Sequence, residues 1–89
     1  MAQSARERES LRKRSRAFLA PHWRRLKSEY LTTDEATVLG LRLGIASDVA
    51  VPQTTIARRL HVSSMTVAMI ERRALGKCRR VLRTEGRDA

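Results

Sequence analysis

The chain has 89 residues, enough for one domain with one modest core, and a deep catalytic cleft is not expected at that size. Nineteen Lys and Arg against nine Asp and Glu give a formal charge of +10 and a pI near 11.5. Such a field draws polyanions, nucleic acid first, because each neutralised phosphate releases counterions. The single cysteine excludes an internal disulfide and a cysteine-cluster zinc site, the three aromatics argue against a base-stacking single-strand binder, and no uncharged stretch is long enough to cross a bilayer.

Residues 4–20 read as a charged helix, rich in helix formers, with Glu9 four residues before Lys13. Apolar positions are sparse until Phe18 and Leu19, so the first part is expected to order on a partner. This basic arm (1–20) carries Arg6, Arg8, Arg12, Lys13, Arg14 and Arg16, suited either to backbone phosphate or to an acidic partner. Pro21 opens a new helix that runs to about Tyr30, with Trp23, Leu26 and Tyr30 on one face.

Thr32 followed three residues later by Glu35 is a capping box, so a helix starts there. Val38, Leu39, Leu41 and Leu43 follow, and Gly44 stops it. Residues 45–52, with Ser47, Asp48 and Pro52, read as a loop. A short helix covers about Gln53–Leu60, with Ile56, Ala57 and Leu60 facing inward. His61-Val62-Ser63 is a turn, and Ser63 caps a last helix over about Ser64–Arg83. There Val67, Ile70, Ala74, Cys78 and Val81 form one narrow stripe, the expected buried face. The tail 84–89 is polar and expected to fray.

The fold expected is all-α: a small helical domain (21–83) ending in a helix-turn-helix and preceded by a basic N-terminal helix. Two helices joined by a tight turn, the second long and basic, suit the DNA major groove. The segments Leu31-Thr32-Thr33-Asp34-Glu35-Ala36-Thr37-Val38-Leu39-Gly40-Leu41-Arg42-Leu43-Gly44-Ile45 and Thr55-Ile56-Ala57-Arg58-Arg59-Leu60-His61-Val62-Ser63, with Val67, Ile70, Glu71, Arg73, Ala74, Leu75 and Lys77, resemble region 4 of bacterial sigma factors over about 31–83.

The resemblance implies a domain that reads the minus-35 promoter element and docks on the flap tip of the RNA polymerase beta subunit. It places Arg42, Gln53, Thr54 and Arg58 at phosphates, and a partner groove around Leu26, Leu31, Val38 and Leu41. The base-reading helix departs from the family pattern. Where the family carries charged and amide residues, this chain has Ser64, Met65, Thr66, Ala68 and Met69. Without bidentate Arg–guanine contacts, the ordinary element is not expected to be read in the ordinary way.

Met65 and Met69 are expected opposite the buried stripe, with Arg72, Gly76, Arg80 and Arg83 continuing that face. Three readings of it stand open. The helix enters DNA, touching thymine methyls and using Arg72, Arg73 and Lys77; or the face binds protein; or the N-terminal helix covers the methionines as core. Glu71 is expected to pair with Arg58 or Arg59 and so orient two helices. Cys78 is expected to be a small core residue, and His22 and His61 lie too far apart in sequence to suggest a metal site.

No nucleophile–base pair, phosphate loop or paired catalytic carboxylate is present in the sequence, so an enzyme is not expected. Nor is any cofactor. The function expected is that of a stand-alone transcription regulator in the cytoplasm, at the nucleoid. It binds double-stranded DNA and contacts RNA polymerase or another transcription factor, and lacks the parts that melt DNA. The alternatives are a region-4 mimic that works mainly by binding polymerase, a sigma factor or an anti-sigma factor, and a dimeric helix-turn-helix repressor.

Overall fold

The computed structural model describes residues 4–45 and 49–87. Positions 47 and 48 of the expected loop, and the end of the expected tail, lie outside them. Five α-helices follow one another, and no strand occurs among the described residues. They are α1 (Ala5–Leu19), α2 (Trp23–Glu29), α3 (Thr33–Leu43), α4 (Gln53–Leu60) and α5 (Ser64–Arg87).

The helix ends follow local chemistry. Ser4 caps α1 by accepting from the Glu7 N–H at 3.1 Å. Pro21 has no N–H to continue the α1 ladder, so Ala20–His22 tighten into a 3-10 turn before α2. The single helix expected from Pro21 to Tyr30 is thus split in two. At the start of α3, the Thr32 N–H donates to Glu35 Oε1 at 2.9 Å, and the Glu35 N–H donates to Thr32 Oγ1 at 3.2 Å, completing the capping box. Gly44 ends α3 in the left-handed region at φ 69°. Ser63 caps α5 by accepting from the Thr66 N–H at 3.1 Å. α5 extends past Thr84 to Arg87, and Glu85 forms a two-pronged pair with Arg25 of α2.

Two hydrophobic cores share α3 and α5. The first holds Leu19, Leu26, Leu39, Leu43, Ala74 and Cys78, with Trp23 packed against it. The second holds Val38, Ile56, Ala57 and Val67, with Leu60 and Ile70 beside them. Adjacent residues Val38 and Leu39 therefore serve different cores, and the expected α5 stripe spans both. Each fully buried Leu, Ile or Val contributes on the order of 1.5–3 kcal/mol of burial. Leu19 anchors the end of α1 in the first core, so the basic arm is a helix docked on the domain. Within it, Glu9 pairs with Arg12 and not with the expected Lys13. Burial pushes the Cys78 thiol up, which suits a packing role for it.

Gly76 lies inside α5, and a Cβ there would meet nothing within 4 Å. Gly76→Ala is therefore expected to stabilise the fold by about 0.5–1 kcal/mol, because glycine loses more backbone entropy in a helix. Urea denaturation checks this as a higher midpoint at unchanged slope.

Candidate nucleic-acid interface

Three helices are fixed to one another by a single carboxylate. Glu71 on α5 accepts from Arg42 Nε of α3 at 2.6 Å and from Gln53 Nε2 of α4 at 3.3 Å. Arg42 also donates through Nη1 to the Val51 carbonyl at 3.3 Å. The expected pairing of Glu71 with Arg58 or Arg59 is not formed, because the first turn of α4, not its last, faces this part of α5. Arg42 and Gln53, expected at phosphates, are half-buried members of this brace. It sets the angle at which α4 presents α5.

The front of α5 projects outward. Met65 is 75% exposed and Met69 56%, so the N-terminal helix does not cover them. Ser64 is exposed, while Thr66 and Ala68 are half-buried. The Thr66 hydroxyl is tied to Ser63 Oγ at 2.9 Å. Arg72 and Arg73 follow on α5, and Thr54, Arg58 and Arg59 lie on α4, all exposed. No acidic residue occupies the first turn of the 24-residue α5, so its positive end is not offset from within the helix. The front of α5 is thus an exposed apolar tip, on a pair of helices that also expose arginines.

Lys77 was expected on this face and is not there. Its ammonium reaches inward to Glu35 Oε1 at 2.7 Å, where it compensates a carboxylate that is 3% exposed. Burial opposes the Glu35 charge, but the hydrogen bonds from Lys77 and Thr32 outweigh it and hold the carboxyl below its ordinary range.

A second surface lies elsewhere on the domain. Trp23, Leu31, Ala36, Gly40 and Leu41 line a shallow groove of about 550 Å³. Gly40 lets the Trp23 ring lie against α3, since a Cβ there would sit 3.1 Å from Trp23 Cζ2. Of the four residues expected around a partner groove, Leu31 and Leu41 line this one. Leu26 and Val38 are fully buried, because their helix positions point into the two cores.

No sequence signal assigns Arg59 to the exposed basic face or Trp23 to the groove. Arg59 follows Arg58 in the same basic turn, but only the crossing of the helices shows that both stay exposed. A cleft of about 610 Å³ lies between α1 and the α3–α5 pair, and no sequence spacing announces it. Arg8, Arg12, Arg42 and Arg79 converge on it, from helices distant in sequence.

The family model of sigma-70, region 4, matches residues 29–80, from the end of α2 into the second half of α5. The chain belongs to the sigma-70 region 4 family. No curated protein and no solved structure matches it. As a region 4 domain it is a DNA-binding helix-turn-helix of the transcription-regulating kind, and the family is not an enzymatic one. In region 4 terms, α4, the His61-Val62-Ser63 turn and α5 are the helix-turn-helix. The arginine-bearing α1 lies outside the matched residues. No helix among the described residues is long and apolar enough to cross a membrane.

Proposed function

We propose that this protein is a transcription regulator that holds duplex DNA on the front of α5 and makes a second contact with RNA polymerase through the Trp23–Leu31–Leu41 groove. One observation carries the DNA contact. Among the described residues the outward face of α5 is exposed at Met65 and Met69, and Arg72 and Arg73 of α5 and Arg58 and Arg59 of α4 are exposed as well. Arginine forks phosphate oxygens with two donors, and such contacts fix a protein's register on the duplex. The brace through Glu71 supports the reading, since it holds α4 and α5 at one angle without using the exposed arginines.

The test is a salt titration of binding to duplex DNA. Log affinity is expected to fall linearly with log salt, by about 0.9 per phosphate neutralised. Arg72→Ala and Arg73→Ala are each expected to weaken binding and to lower that slope by about 1 if each holds one phosphate. No duplex binding at low salt, or a slope unmoved by both changes, overturns the reading. For the groove, Leu31→Glu is expected to abolish capture of purified RNA polymerase and to leave DNA affinity unchanged.

A second reading rests on the exposed methionines, a side chain suited to adaptable protein surfaces. In it the α5 face binds polymerase or another transcription factor, and DNA is secondary. A Met65→Arg/Met69→Gln double variant decides between the two. Lost polymerase capture with unchanged DNA binding would favour the second.

A further inference from the structure

Resting on the DNA-binding reading above, we infer that α5 reads thymine 5-methyl groups through Met65 and Met69, so that the protein prefers A·T-rich major grooves over sites defined by guanine. The first seven residues of α5, Ser64–Ile70, contain no charged and no amide side chain. Discrimination of guanine or adenine edges in the major groove rests chiefly on bidentate Arg, Lys, Asn or Gln, and none is available there. The polar groups that remain are two hydroxyls. That of Thr66 is engaged with Ser63 Oγ at 2.9 Å, and the Ser64 hydroxyl donates and accepts equally well and favours no base.

What the helix does offer is apolar and exposed. Met65 and Met69 are one turn apart on one face, at 75% and 56% exposure. The one base feature in the major groove that an apolar side chain recognises is the thymine methyl. Charge decides that the occupant of this face is DNA. Exposed Arg72 and Arg73 follow Met69 by three and four residues, the next turn of the same helix, and exposed Arg58 and Arg59 sit on the preceding helix. An apolar partner would leave that charge uncompensated, whereas the phosphate backbones flanking a groove match it. Methionine is flexible enough to follow a methyl that shifts with local twist, so the motif is expected to be short and tolerant at single positions.

The experiment selects binders for the full chain from a random duplex pool, then replaces thymine by deoxyuridine throughout the enriched motif. Deoxyuridine keeps the pairing edge and removes only the methyl. Affinity is expected to drop roughly threefold to fivefold per contacted methyl, the effect of burying one methyl-sized group. In a Met65→Ala/Met69→Ala variant, whose changes lie on the exposed face and leave both cores intact, the thymine and deoxyuridine duplexes are expected to bind alike. Equal binding of both duplexes by the unaltered protein overturns the inference. So does a methyl effect that persists in the double variant, or a selection that enriches no motif. In each of those cases the DNA-binding reading still stands. Absence of any duplex binding at low salt overturns both.

Discussion

Gly44→Ala is expected to cost about 2–4 kcal/mol. Left-handed backbone costs a non-glycine residue about 1–2 kcal/mol, and Gly44 sits at φ 69°. Sterics add to that. A Cβ at this position would lie 2.8 Å from the Val49 carbonyl carbon and 2.9 Å from the Ala50 nitrogen. Both are backbone atoms, which cannot swing aside as a side chain tip does. The chain that would have to move leads directly to α4 through Val51, whose N–H donates to the Leu41 carbonyl at 2.8 Å and whose own carbonyl accepts from Arg42. The substitution is therefore expected to loosen the α4 end of the Glu71 brace as well as the fold. Thermal denaturation checks it, as a midpoint lowered by roughly 10–25 °C at this chain length. DNA affinity at temperatures where the variant is folded is expected to fall too.

The second large effect belongs to the Glu35–Lys77 pair. Lys77→Met is expected to cost about 2–4 kcal/mol near neutral pH, because it strips the cation from a buried carboxylate. The figure lies below the usual range for buried pairs because the Lys77 side chain is itself 30% exposed. Glu35 has little else to turn to. Its Oε1 also accepts from the Thr32 N–H, and its Oε2 is buried with no hydrogen-bond partner.

The pH dependence has a definite sign. In the unaltered protein the Glu35 carboxyl is held below its ordinary 4.5. Its contribution is therefore fully present above that value and is lost as pH falls through the lower, folded value. In Lys77→Met only desolvation and the Thr32 bonds remain, so the folded carboxyl moves up and protonates more readily. The difference in stability between the two proteins is expected to be large at pH 7 and to shrink at pH 4. Urea denaturation at the two pH values measures it. A Lys77→Met protein of unchanged stability but reduced salt slope on DNA would return Lys77 to the nucleic-acid face.

Much of the secondary structure was legible because its signals are local. The Thr32–Glu35 box, the Gly44 stop and the Ser63 cap each act within three or four residues. The turn between α4 and α5 carried a weaker signal. There His61 adopts the left-handed conformation at φ 59° without glycine to announce it. The outward direction of Met65 and Met69 was legible as well, since helical periodicity places them opposite Val67 and Ala74 whatever the neighbours are.

Composition, periodicity and capping chemistry thus determined by themselves that the chain is basic and all-helical, with an apolar tip at the start of its last helix. Tertiary structure alone decided who partners whom. Lys77 lies at the border between the buried stripe and the exposed face, so a small change in helix crossing sends it to Glu35 or to solvent. Glu71 reaches Arg42 and Gln53 because α3 and the first turn of α4 meet at its side of α5, which no sequence spacing encodes. Leu26 and Val38 entered the cores, leaving Leu31 and Leu41 to line the groove, for the same reason. A helix pattern tells which side is apolar, but packing against other helices determines how much of that side water still reaches.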